Sequence, residues 1–123
     1  MHAAPLLPFH VAVPTHDLAA SRQFYGGLLG CAEGRSAATW IDWNLAGHQI
    51  VTHFASASYR GNDYFNNVDA DMVPVPHYGI CLTVPLFLDL AERLKAARVS
   101  FIVEPHLRFP GQPGEQWTMF LKE

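Results

Sequence analysis

The sequence predicts a mixed α+β fold made of two similar halves, each consisting of a strand, a helix and further strands. Short alternating apolar runs at residues 9–13 and 76–80 each carry a histidine near their start, and a segment with helical spacing follows each run. Further strand patterns come after both helices. The two histidines, His10 and His77, are separated by about half of the chain, as expected for one module used twice.

Composition and charge limit the classes of protein to which the chain can belong. Its 123 residues, half of them apolar, suit one domain with its own core. A formal net charge of −3 and scattered basic residues argue against binding to nucleic acid. No apolar run reaches the about 18 residues of a membrane span, and residues 1–5 lack the basic start of a signal peptide. Cys31 and Cys81, without metal-binding spacing, predict buried reduced thiols and a cytoplasmic protein.

The first module, about residues 6–55, begins with a strand at residues 7–13. Asp17 is the predicted N-cap of the helix that follows, and Gly30 is its predicted C-terminal stop. Three strands are then predicted, at residues 31–36, 39–45 and 48–54, with a tight turn at Ala46 and Gly47.

Residues 56–74 are rich in Ser, Asn, Asp and Gly, which predicts a loop between the modules of a single domain spanning residues 1–123. Tyr59, Tyr64 and Phe65 are unusual for a passive linker. They would cover a pocket, contact a second subunit or pack on their own domain.

The second module, about residues 75–123, repeats the first with one strand fewer. Its leading strand places His77, Gly79, Cys81 and Thr83 on one face. A helix is predicted to begin at Pro85. The remaining predictions are strands at residues 99–104 and 116–121, with a Pro/Gly-rich loop at 105–115 between them. The last strand of this module is therefore missing from the pattern.

On both leading strands, small residues follow the histidine, which predicts a concave sheet face with an imidazole at its rim. Imidazole binds divalent iron, manganese, zinc or nickel, and two imidazoles with one carboxylate leave coordination positions open for substrate. The alternative for either histidine is a hydrogen-bonded core residue. His53 shares a strand face with Gln49 and Val51 and is a weaker candidate for catalysis. Two further polar strand residues, Asp42 and Asn44, would face either solvent or the pocket, whereas His2, His16, His48 and His106 are predicted to lie in turns or termini.

These features resemble the vicinal oxygen chelate superfamily, which contains glyoxalases, bleomycin-resistance proteins and extradiol dioxygenases. The resemblance covers nearly the whole chain. It rests on His10-Val-Ala-Val-Pro, Asp17, Ser21, Phe24-Tyr25, Leu28-Leu29-Gly30, His77-Tyr-Gly-Ile, Arg108-Phe109 and the run from Gly114 to Phe120. The part from Arg108 to Phe120 is similar to a dioxygenase-like bacterial branch.

The resemblance implies paired βαβββ modules that form a cup-shaped mixed sheet around a divalent metal, with His10 and His77 as ligands. In such a site His53 would be a candidate acid/base or oxygen-positioning group. Glyoxalase-type lyases add a carboxylate ligand on the fourth strand, where this chain has Val51. The family's last ligand is a glutamate on an eighth strand, which is expected beyond residue 123, because Glu123 falls in the preceding turn. Either the chain continues past this point or its site is incomplete, so the metal is expected to be absent or loosely held.

The implied function is that of an extradiol-dioxygenase-like enzyme acting on a small catechol-like molecule with Fe(II), or with Mn(II), Zn(II) or Ni(II). One alternative is a non-catalytic protein of the same fold that binds a drug or an aromatic molecule and confers resistance. Another, a glyoxalase or thiol-transferase lyase, is disfavoured by Val51. The expected partners are a small-molecule substrate and a second copy of the chain in a homodimer, with no nucleic acid and no membrane.

Overall fold

A computed structural model describes residues 6–61 and 63–123, so the expectation for residues 1–5 lies outside the described residues. The chain divides into two compact units, Met1–Arg60 and Gly61–Glu123. Both contain helix and strand, which confirms the mixed α+β class. The longest described helix has 13 residues, and none is both long and apolar enough to cross a lipid bilayer.

The first unit is a βαβββ module, as predicted. Its elements are β1 (His10–Thr15), α1 (Leu18–Ser21) with a π-helical continuation (Arg22–Leu28), β2 (Ala32–Ala37), β3 (Trp40–Leu45) and β4 (His48–Phe54). The strands form one mixed sheet in the order β1-β4-β3-β2. β1 is parallel to β4, whereas the other pairs are antiparallel, so the first and last strands of the module are neighbours.

Local sequence explains the ends of these elements. The Asp17 carboxylate accepts a hydrogen bond from the Ala19 N–H at 2.9 Å and caps α1, as predicted. Ala46 and Gly47 both have positive φ, 52° and 89°, which is the type I′ geometry of a two-residue hairpin. Strand β1 begins and ends later than predicted because Phe9 precedes the ladder while Pro14 and Thr15 continue it.

The helical segment covers one face of this sheet and buries the core of the unit. Tyr25 stacks on Trp43 with ring centroids 5.8 Å apart, beside Ile41 and Ile50. The helix widens to π geometry where Gly26 lies against this ring, since a Cβ on Gly26 would be 3.2 Å from the Trp43 indole. The absence of a side chain at Gly26 therefore lets the helix pack closely on the Trp43 ring.

The hydroxyl of Thr52 accepts two hydrogen bonds in the core of this unit. Thr52 is fully buried, and its Oγ1 accepts hydrogen bonds from the Ser21 hydroxyl at 2.7 Å and from the Trp43 indole N–H at 3.1 Å. These hydrogen bonds link α1 and β3 to β4.

The second unit combines a hairpin, one long helix and a second strand pair. Its elements are β5 (Phe65–Val68), β6 (Asp71–Pro74), α2 (Val84–Ala96), β7 (Phe101–Arg108) and β8 (Gln116–Leu121). Helix α2 is capped by the Thr83 hydroxyl and has Pro85 in its first turn, as predicted. β7 is longer than predicted and runs through Pro105 and His106 to Arg108, so the loop after it is shorter.

Residues 56–74 are not a simple loop, because they contain the antiparallel pair β5–β6. Asp69 and Ala70 form its two-residue turn with φ values of 48° and 71°, and the Asn67 side chain accepts a hydrogen bond from the Ala70 N–H. The Asn and Asp residues that indicated a loop are therefore the turn of a hairpin.

The predicted leading strand of the second module is also wrong, since residues 77–83 belong to no ladder. In the first unit, β1 is paired by β4, the last strand of its module. Within residues 63–123, no strand of the second unit pairs with residues 77–83 in the way that β4 pairs with β1. The predicted burial of both cysteines is corrected too, because Cys81 is exposed and Cys31 is only partly buried.

Candidate functional site

The face of the first sheet opposite the helix carries the candidate residues of this unit. Residues paired across neighbouring strands point to the same side, so the register defines three rows on this face. The rows are His10, Gln49 and Asn44; then Ala12, Val51 and Asp42; then Pro14, His53 and Trp40. We call these nine residues the open face. This face contains His10, Gln49, Val51 and His53, which the sequence predicted to lie on a common sheet face.

His10 is oriented by the residue directly beside it. Its Nδ1 lies 2.9 Å from Oε1 of Gln49, its register partner on β4. With the amide oxygen as acceptor, Nδ1 carries the proton and Nε2 keeps its lone pair. A neutral imidazole held through its other nitrogen is the usual state of a metal-binding histidine.

His53 is exposed on the same face but far from His10. It lies four positions after Gln49 on β4, about 13 Å along the strand at about 3.3 Å per residue. His53 is therefore beyond the reach of an ion bound to His10 and could act only on a molecule that extends across the open face.

Asp42 and Asn44 border a cleft, at which Asp42 is partly buried and Asn44 is exposed. The cleft has a volume of about 440 Å³ and is bordered by the small residues Ala32 and Gly34 and by Gln49. A Cβ on Gly34 would lie 3.3 Å from the Asp42 Cβ, so a larger residue at this position would require Asp42 to shift slightly. The carboxylate of Asp42 is 3.7 Å from the exposed Arg35 guanidinium.

His77 in the second unit is held in a similar way to His10. Its Nδ1 lies 2.6 Å from the carbonyl oxygen of Pro74, which can only accept a hydrogen bond. The ring meets the Phe120 ring edge to face, with centroids 4.8 Å apart. Nε2 of His77 is thus left as the lone-pair nitrogen.

A partly buried polar cluster in the second unit was not predicted from the sequence. Arg108 donates a hydrogen bond to Asp71 Oδ2 at 2.8 Å, and His106 Nε2 lies 2.9 Å from the same oxygen. His106 was expected in a solvated turn, but it lies on β7 and its Nδ1 also faces the Glu104 carbonyl at 2.7 Å. The spacing of His106 and Arg108, two apart on a strand, was the available signal that they share a face.

His48 does not belong to the site. Its Nδ1 accepts a hydrogen bond from the Phe9 N–H at 2.8 Å, which attaches the residue before β1 to β4. This agrees with the structural role predicted for it.

The donor types fit a divalent metal, but the described residues supply no complete cage. Across residues 6–61 and 63–123, no three His, Cys, Asp or Glu side chains come close enough to hold an ion together. His10 and His77 are the two imidazoles with an anchored Nδ1 and an available Nε2. Val51, where a lyase would carry a carboxylate, is apolar and buried.

Comparison with solved structures finds close similarity in fold. A glyoxalase/bleomycin resistance protein/dioxygenase from Alicyclobacillus acidocaldarius matches with 30% identity and a TM-score of 0.73, over 94% of this chain and 82% of that one. The fosfomycin resistance protein FosX from Listeria monocytogenes matches with 18% identity and a TM-score of 0.56, over 96% of this chain and 84% of that one.

Lactoylglutathione lyase from Agrobacterium tumefaciens matches with 14% identity and a TM-score of 0.61, over 98% of this chain and 88% of that one. These last two similarities concern the fold alone. No protein-family model matches the sequence, and a search of curated proteins also finds no match.

Proposed function

This chain belongs to the glyoxalase/bleomycin resistance/dioxygenase group of the vicinal oxygen chelate superfamily, and from that premise we propose that it is a divalent-metal-dependent enzyme acting on a small molecule. His10 and His77 would be two of the protein ligands. The family contains resistance proteins, lyases and dioxygenases, so membership of the family does not determine the reaction.

The observation that supports this proposal is the matched anchoring of the two histidines. Gln49 fixes His10 and the Pro74 carbonyl fixes His77, in both cases through Nδ1. Oxygen acceptors behind a ligand histidine set its tautomer and increase its basicity. The same arrangement occurs once in each unit and leaves a lone pair on Nε2 of each histidine, as a metal ligand needs.

For the reaction, we propose extradiol-dioxygenase-like chemistry with Fe(II) on a catechol-like molecule. A bound divalent metal would supply Lewis-acid activation of two adjacent substrate oxygens. His10 and His77 are neutral ligands, which leaves a carboxylate to be supplied by a residue outside the described set. Val51 disfavours lyase chemistry, since an apolar side chain cannot be a ligand. His53 would exchange a proton with the far end of a substrate lying over the open face.

Metal content measured after anaerobic purification and loading with Fe(II) tests the metal proposal. We expect His10→Ala and His77→Ala each to reduce bound iron at least tenfold, whereas the control His48→Gln should retain it. Oxygen consumption with a panel of catechols tests the reaction separately. Iron retained at the wild-type level in both alanine variants would refute the ligand assignment.

A metal-free binding protein is the second candidate function. The cleft between β2, β3 and β4, with Asp42, Asn44 and Gln49 at its wall, supports it because a small polar molecule could bind there without His77. Binding of an aromatic ligand that is unchanged by a chelator would favour this candidate. Loss of binding on chelation would favour the enzyme.

We also propose that the chain forms a homodimer and is located in the cytoplasm. Tyr64, Phe65 and Met72 on the β5–β6 hairpin have exposed fractions of 58%, 40% and 54%, and a second copy would cover them. Light scattering at micromolar concentration should give twice the chain mass, and a monomer mass would contradict the dimer.

A further inference from the structure

Arg108, the last residue of β7, holds an unpaired donor in the interior of the second unit. Its side chain is only 6% exposed, and one nitrogen donates to Asp71 Oδ2 at 2.8 Å. Its Nε is fully buried, yet no atom in the described part of the chain accepts a hydrogen bond from it. A buried unpaired N–H costs about 1–3 kcal/mol, so its presence calls for a physical reason.

One carboxylate oxygen beside Arg108 is shared by two nitrogen groups. Arg108 donates to Asp71 Oδ2 at 2.8 Å, and His106 Nε2 lies 2.9 Å from the same oxygen. Nδ1 of His106 is already directed at the Glu104 carbonyl. A structural ion pair between Arg108 and Asp71 explains one guanidinium nitrogen but not Nε, whose natural partner is a further oxygen anion.

The pairing of β7 with β8 places this donor near the Phe120 ring, which also contacts His77. His106 is opposite Thr118 and Arg108 is opposite Gln116, so both lie on the same face of β8 as Phe120. The Arg108 Cζ is 5.9 Å from the centroid of the Phe120 ring, which His77 contacts edge to face. Helix α2 contacts Trp117 on the opposite face, through Phe87.

We propose that Arg108 recognises an anionic oxygen group, a carboxylate or phosphate, on the small molecule that this site binds. Its Nε–H donates to that group while Asp71 holds the guanidinium plane and Phe120 supports it. The proposal rests on the proposed function, since it assigns an anionic substrate to the site that contains His77. His77 and Arg108, which both lie near Phe120, would then contact different parts of one molecule.

Nuclear magnetic resonance of the arginine Nε–H groups in the 15N-labelled full chain tests this inference. The Arg108 signal is assigned through bonds to its own backbone, so the assignment does not depend on a variant that folds. The metal-free protein, with chelator present, is titrated with sodium acetate and separately with sodium phosphate at constant ionic strength. Arg22, whose Nε already donates to Glu33 at 2.9 Å on the surface, is the internal control.

We expect the Arg108 Nε–H signal to shift and saturate with at least one of the two anions, while the Arg22 signal does not saturate. Saturation with acetate alone identifies a carboxylate, and saturation with phosphate alone identifies a phosphate. An unsaturated response to both anions would overturn the proposal and assign the unpaired N–H to bound water. Because no metal is present, this result is independent of whether His10 and His77 bind iron.

Discussion

Oε1 of Gln49 lies 2.9 Å from Nδ1 of His10, directly across the parallel pair of β1 and β4. We predict that Gln49→Leu weakens metal binding about 10–100-fold, the usual effect of removing the group that orients a ligand histidine. Competition against a coloured chelator measures this. Gln49→Glu, which keeps an acceptor, should bind at least as tightly as the wild type. Equal affinity in the leucine variant would show that Gln49 does not orient His10.

Replacing Thr52 should lower the stability of the chain even when the new side chain has a similar volume. Thr52→Val keeps the shape but removes the acceptor shared by Ser21 and Trp43. Two buried donors at about 1–3 kcal/mol each should lower the free energy of unfolding by about 2–5 kcal/mol. Denaturant titration checks this, and Thr52→Ser should retain most of the stability. A valine variant as stable as the serine variant would contradict the prediction.

The two adjacent glycines of the π-helical segment should respond in opposite directions. A Cβ on Gly26 would be 3.2 Å from the Trp43 ring, whereas one on Gly27 would meet nothing within 4 Å. We expect Gly27→Ala to stabilise the chain by about 0.5–1 kcal/mol through reduced backbone entropy in the unfolded state. Gly26→Ala should destabilise it by about 1–3 kcal/mol because the ring must move. Thermal unfolding of the pair provides the comparison.

Two ion pairs of this chain should differ strongly in their contribution to stability. Asp71→Ala leaves the buried Arg108 charge without its partner, for which a loss of about 3–5 kcal/mol is expected. Glu33→Ala removes the partner of Arg22, which is 46% exposed, and should cost at most about 1 kcal/mol. Similar losses in the two variants, measured by urea unfolding, would show that Arg108 is solvated.

The two thiols should differ in their reactivity. Burial raises the pKa of the Cys31 thiol by disfavouring the thiolate, which is the reactive form. At pH 8, iodoacetamide should therefore modify the exposed Cys81 faster than Cys31. Peptide mass spectrometry over time measures both rates. The modification rate of Cys31 should begin to rise at a higher pH than the rate of an ordinary thiol. Faster modification of Cys31 than of Cys81 at pH 8 would refute the argument.

The first unit was predictable from the sequence because its signals are local. Asp17, the Ala46-Gly47 turn and the alternation in β3 and β4 each act within a few residues, and all of them are found. Placement of His10 and Gln49 on one face follows from strand alternation once the register is known. The distance from His10 to His53 required the pairing of β1 with β4, which the sequence does not encode locally.

The second unit was harder to predict because its structure depends on distant partners. Residues 77–83 have the alternation of a strand, but a strand also needs a neighbour to hydrogen-bond with, and alternation does not reveal whether one exists. The β5–β6 hairpin was hidden by its polar side chains. Arg108 was part of the family resemblance, but its ion pair with Asp71 could not be predicted because Asp71 is distant in sequence.

The parallel pairing of β1 with β4 also has a consequence for the order of events during synthesis. A ribosome adds about 5–20 residues per second, and domains fold as units once enough chain has emerged. His10 is made before its neighbour Gln49, which follows only after the helix, β2 and β3. The orientation of this imidazole is therefore one of the last features of the unit to form.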